Sequence, residues 1–84
     1  MSSADRLLYG RWVRVEEHWW NGDTSRRGRR DVYIRTDGQR WDVQVRIGGE
    51  SGRTRVQECP GRTSAVILAG AWRGNHPAWR EVSG

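Results

Sequence analysis

Between Asp31 and Cys59 apolar and polar residues alternate around a single Asp-Gly dipeptide, a pattern that few folds accommodate. Asp37 and Gly38 both tolerate positive φ, which a tight two-residue hairpin turn requires. That turn predicts Arg35 opposite Arg40, Ile34 opposite Trp41, Tyr33 opposite Asp42 and Val32 opposite Val43. Directly opposed residues share a face. Val32, Ile34, Trp41 and Val43 therefore form one apolar row, continued by Val45 and Ile47. A second turn over Gly49–Gly52 predicts Ile47 opposite Thr54, Val45 opposite Val56 and Val43 opposite Glu58, which keeps Val56 on the apolar face. A loop one residue longer, from Gly48, would instead set Arg55 against Val45.

The same register gathers Tyr33, Arg35, Arg40, Asp42, Gln44, Arg46, Arg55 and Gln57 on the other face. The plain reading is the solvated side of a half-exposed antiparallel sheet. The functional reading is an anion-binding surface, since Arg35 and Arg40 in direct opposition repel unless an anion lies between them.

The flanking segments extend this core. Ser3 can cap a short helix from Ala4 to Tyr9, closed by Gly10. Residues 11–19 fit a strand with Val13 and Val15 inward. As a helix they would align Leu8, Trp12, Val15 and Trp19, but the Val and Trp content favours β. Beyond Pro60-Gly61, Thr63 or Ser64 can cap a helix over residues 65–73, with Ala65, Leu68, Ala69 and Trp72 on one stripe and Gly74 at its end. The apolar run 65–69 could also be a buried strand, but its Ala content and caps favour helix. Pro77 is placed to begin a short helical turn, with Trp79 and Val82 packing back on the core. The expected fold is α+β: a small antiparallel sheet of three to four strands with one C-terminal helix on its apolar face. Residues 1–84 make a single small domain, its sheet-and-helix core at about 11–73.

All fifteen basic residues are Arg, and the formal net charge is +5. Arg26, Arg27, Arg29 and Arg30 account for +4 of it, so the basicity is concentrated in the polar segment 21–30, expected to be a mobile loop. Such a cluster either solvates a loop or neutralises phosphates. Six Trp in so short a chain are the second compositional signal. If the core cannot bury them all, Trp12, Trp19 and Trp20 mark a partner surface.

No constellation for catalysis is present. His18 and His76 stand in unlike contexts, and there is no Cys pair, so neither a metal site nor a cofactor is expected. The Gly-rich stretch 48–52 lacks the Gly-Lys-Ser/Thr ending of phosphate loops. The lone Cys59 suits a reducing cytosol, and no apolar run is long enough for a membrane span or a signal peptide core. A non-enzymatic, cytoplasmic binding domain is the expectation.

The run YIRTDGQRWDVQVRIGG, followed by TRVQEC and an Ala-rich helix, resembles the three-stranded-sheet DNA-binding domains of AP2 proteins and of integrase amino-terminal domains. The resemblance covers about residues 31–73. It implies a sheet that enters the major groove, with Arg35, Arg40, Gln44, Arg46 and Arg55 contacting bases and phosphates. Physical chemistry adds Gln57 as a polar reader on the same row and Arg26, Arg27, Arg29 and Arg30 as phosphate contacts. Double-stranded DNA is thus the expected partner. The competing class is a Trp-rich protein-interaction module, a homodimer or the regulatory partner of another protein. A third, single-stranded nucleic acid, would use Trp as stacking platforms near Arg.

Overall fold

A computed structural model describes residues 6–8, 11–49, 52–74 and 76–82. The elements are β1 (Arg6–Leu8), β2 (Arg11–Trp20), β3 (Arg30–Thr36), β4 (Trp41–Ile47), β5 (Arg53–Cys59), α1 (Arg62–Arg73) and β6 (Arg80–Glu81). The strands form one antiparallel sheet in chain order from β1 to β5, with β6 beside β2. The helix α1 packs on one face, over β3, β4 and β5. This is the α+β architecture expected.

Residues 6–8 are a strand rather than part of a helix. A helix of so few residues cannot repay its nucleation, whereas pairing Leu7 with Trp12 extends the ladder of β2. The rest of the expected helix, residues 4, 5 and 9, lies outside the described residues. The strand β2 breaks register between Val15 and Glu17, where it bulges against β3. After Pro77 the chain makes a turn and then β6, not a helix. Trp79 reaches the core, while Val82 stays 38% exposed and donates its backbone N–H to the His18 carbonyl at 2.7 Å.

The core is the apolar row of the sheet under the helix stripe. Val32, Ile34, Val43, Cys59, Ala65 and Ala69 are buried, ringed by half-buried Trp19, Trp41, Val45, Leu68, Trp72 and Trp79. Ala65 and Ala69 are the closest-approach positions of α1, and their small side chains let the helix axis sit low on the sheet. Each fully buried Val or Ile contributes roughly 1.5–3 kcal/mol. The helix starts earlier than its Thr63 or Ser64 caps would place it. Gly61 is the N-cap in extended backbone, with no side-chain cap, and Gly74 closes the helix at φ 64°.

Both hairpin registers differ from expectation, by different amounts. In β3–β4 the partners are Thr36 with Trp41, Arg35 with Asp42, Ile34 with Val43 and Val32 with Val45, two residues away from the expected pairing. Thr36 and Asp37 lengthen the turn. The Asp37 carboxylate accepts the Gln39 and Arg40 N–H groups at 2.8 and 2.7 Å. The Thr36 hydroxyl donates to the Arg40 carbonyl at 2.7 Å and accepts from Gly38 N–H at 3.0 Å. A two-residue slip preserves faces, so the apolar row survives. In β4–β5 the slip is one residue: Val45 pairs with Arg55, Val43 with Gln57 and Trp41 with Cys59. This is the longer loop from Gly48, and it turns Arg53, Arg55 and Gln57 to the helix side and Val56 to the other.

Candidate nucleic-acid interface

The face opposite the helix is not an exposed arginine surface. Arg35 and Asp42 sit directly opposed and form a bidentate pair, Nε to Oδ1 at 2.8 Å and Nη2 to Oδ2 at 2.9 Å. Their side chains are only 4% and 0% exposed. Arg35 had been expected to face Arg40 and attract an anion; the true register gives it Asp42 instead, and the charge is neutralised within the sheet. Gln44 and Arg46 are also buried. The Arg46 guanidinium lies 5.7 Å from the Tyr33 ring centroid, and its Nε has no hydrogen-bond partner among the described residues. Arg46 pairs across the strands with Thr54, not with Arg55. Val15 pairs with Arg35, so Val13, two residues along β2 and buried, belongs to this same face.

Asp31 organises the end of this face. Its carboxylate accepts Arg29 Nε at 2.9 Å and Nη2 at 3.2 Å, and lies 2.7 Å from His18 Nε2. The His18 ring stacks on Tyr33, centroids 4.2 Å apart. Burial by itself would raise the Asp31 pKa, but the hydrogen bonds and charges of Arg29 and His18 outweigh it and hold the carboxyl below its ordinary value. Arg29 also lies over the Trp20 ring at 5.2 Å. It is therefore a structural residue of the loop. The sequence signal for this role is the charge pair Arg29-x-Asp31 at the start of a strand, where alternate residues share a side.

The loop expected as a mobile arm carries its own hydrogen-bond set. Asn21 donates to the Gly28 carbonyl at 2.8 Å and accepts the Arg30 N–H at 3.0 Å. Asp23 accepts from the Ser25 N–H and hydroxyl, bonds that lower its pKa. Trp20 Nε1 donates to the Asp23 carbonyl at 3.0 Å. The loop docks on the second hairpin, where Gly48 N–H meets the Arg29 carbonyl at 2.9 Å. Arg26, Arg27 and Arg30 stay exposed.

Docking of the loop and the β4–β5 register together build a basic end. Arg30 pairs with Ile47, and Ile47 with Arg53; in the next row Val32 pairs with Val45, and Val45 with Arg55. The Arg26 carbonyl lies against Gly48 in the same region. Arg26, Arg27, Arg30, Arg53 and Arg55 are all exposed, and among the described residues none forms an ion pair. The other end carries Asp37 and Glu58, with Arg40 4.0 Å from the Glu58 carboxylate. In the register expected from the sequence Arg53 flanks the turn opposite Gly48; the one-residue slip sets it opposite Ile47 and so in line with Arg30. Gln57 is exposed beside Arg55.

The tryptophans are mostly spent on the fold. Trp19 packs on the core with the Arg73 guanidinium 3.9 Å from its ring centroid, and Trp20 is half-buried. The side chain of Trp12 lies outside the described residues. Trp72 and Trp79 line an open cleft of about 710 Å³ together with Arg30, Arg73 and His76. Burial, then the nearby charges of Asp42 and Glu58, pushes the Cys59 thiol up, so it stays protonated at neutral pH and acts as a small core residue. Among the described residues no group of His, Cys, Asp and Glu is placed to hold a metal, and no helix is long and apolar enough to cross a membrane. Neither known protein families, nor curated proteins, nor solved structures give a match to this chain.

Proposed function

We propose that the protein binds nucleic acid, double-stranded DNA first among the forms, by its phosphate backbone through the basic end of the sheet. The observation that carries this is the convergence of Arg26, Arg27, Arg30, Arg53 and Arg55, exposed and, among the described residues, outside any ion pair, from two separate segments of chain. Phosphate contacts fix position without reading sequence. The side chains suited to reading bases, Arg35 and Gln44, are enclosed in the sheet. Binding is therefore architectural and strongly salt-dependent rather than sequence-specific. Five phosphate contacts correspond to a slope of log K against log salt of about −4.5.

The test is duplex titration by fluorescence anisotropy at several salt concentrations. Replacing Arg26, Arg27, Arg53 and Arg55 by Ser should weaken every duplex by a similar factor and flatten the slope to about −1. An unchanged slope assigns these arginines to solvation. The cleft supports a second reading, single-stranded nucleic acid. Trp72 and Trp79 lie beside Arg30, the arrangement in which an unpaired base stacks while its phosphate is held. Competition between a duplex and either of its strands decides between the two, and quenching of Trp emission by the strand alone favours the second.

A further inference from the structure

The two edges of the sheet are treated differently. The β2 edge is covered by β1 along Arg11–Val13 and by β6 along Trp19–Trp20. The β5 edge pairs with β4 on one side and, among the described residues, with nothing on the other. Every residue from Arg53 to Glu58 is exposed. The edge contains no Pro and no break of register, two of the devices that blunt such edges, and its charges are of both signs, Arg53 and Arg55 against Glu58. At its centre Val56 is 45% exposed, an apolar side chain outside the core cluster.

We propose that two copies of this chain pair antiparallel along β5, about a two-fold axis through Val56. This stands apart from the nucleic-acid reading. Side-by-side pairing about an axis normal to the sheet keeps each face continuous, so only residues of one face can oppose each other. One set is Arg53, Arg55, Gln57 and Cys59; the other is Thr54, Val56 and Glu58. An axis on Thr54 opposes Arg53 with Arg55, and one on Arg55 opposes Arg55 with itself. An axis on Gln57 sets Thr54 against Pro60, which has no N–H to give. An axis on Glu58 opposes that carboxylate with its own copy. With the axis on Val56, Val56 meets Val56, Arg55 meets Gln57, Thr54 meets Glu58 and Arg53 meets Cys59. No like charges oppose, and the exposed valine finds an apolar partner. The two Arg55 side chains fall on a diagonal, at the longer separation where repulsion is weaker. The second copy is favoured over a foreign strand because one seven-residue segment supplies both complementary halves.

The experiment is sedimentation equilibrium with native mass spectrometry on the full chain, alongside two cysteine variants in a Cys59→Ser background. The parent should dimerise with rising concentration, and Val56→Asp should remain monomeric with an unchanged far-UV spectrum and, at concentrations low enough for the parent to be monomeric, an unchanged melting curve. Val56→Cys should form a disulfide-linked dimer under mild oxidation, because opposed residues of antiparallel strands lie about 4.5–5.5 Å apart at Cα, within disulfide reach. Thr54→Cys should not, since its copy lies about four residues, or roughly 13 Å, along the strand. A parent that is monomeric throughout, a Val56→Asp variant that dimerises like the parent, or equal cross-linking by both cysteines would overturn the proposal.

Discussion

The hairpins β3–β4 and β4–β5 share a strand, yet β3 is buried on both faces while β5 is exposed on both as far as Glu58. Their turns differ in kind. The first is fixed by side chains, with Thr36 and Asp37 bonding the backbone of Gly38, Gln39 and Arg40, and behind it lies the enclosed Arg35–Asp42 pair. In the second, the described residues set the backbone geometry: Gly48 and Gly49 adopt φ of 92° and 77°, and Gly52 passes so close to the Ile47 carbonyl that no Cβ fits. A side-chain-locked turn tolerates a buried, charged hairpin because Arg35 and Asp42 meet as partners in register. A glycine-built turn delivers a strand exposed from Arg53 to Glu58.

The largest effect expected along this contrast is in the first hairpin. Asp42→Ala leaves Arg35 buried without its counter-charge and should cost about 3–5 kcal/mol in urea unfolding. A double replacement, Arg35→Met with Asp42→Leu, should recover most of that loss, which would identify the penalty as an orphaned charge rather than lost packing. Next, Gly52→Ala forces a Cβ into the Ile47 carbonyl. A cost of about 1–3 kcal/mol is expected, together with loss of amide-exchange protection in β5 but not in β3. Thr36→Val removes the hydroxyl that bonds both sides of the first turn and should cost about 1 kcal/mol by thermal melt, leaving β5 protection unchanged.

The smallest effect is a pH dependence at the base of β3. Asp31 has a folded pKa below its ordinary value of 3.8. The unfolded chain therefore binds more protons in acid, and the stabilisation is complete above the unfolded pKa and lost as pH falls through the folded one. The urea midpoint of the parent should drop more steeply below about pH 4 than that of Asp31→Asn. Equal acid profiles for the two would remove Asp31 from the account of acid stability.

How far the sequence could be read depends on which period each element obeys. The rows Val32–Ile34 and Trp41–Val43–Val45 were legible although the turn was misjudged by two residues, because a strand repeats every two and an even slip leaves every side chain on its face. The stripe Ala65–Leu68–Ala69–Trp72 was legible for the parallel reason at helical spacing, even with its cap misplaced. The segment β5 was not, because Arg-Thr-Arg-Val-Gln-Glu has a single apolar residue and no periodicity to fix its phase, so choosing one loop residue too few inverted it. The candidate site shared that fate. Arg26, Arg27 and Arg30 were readable as a charge cluster; that Arg53 and Arg55 join them, while Arg35, Gln44 and Arg46 withdraw into the sheet, depends on register and on loop docking. By itself the sequence determined the faces of β3 and β4 and the helix that covers one of them, since these follow from local periodicity. The partners of the charged side chains were decided by tertiary structure alone, because a Coulombic pair depends on distances across strands, and one residue of slip moves those by a full face.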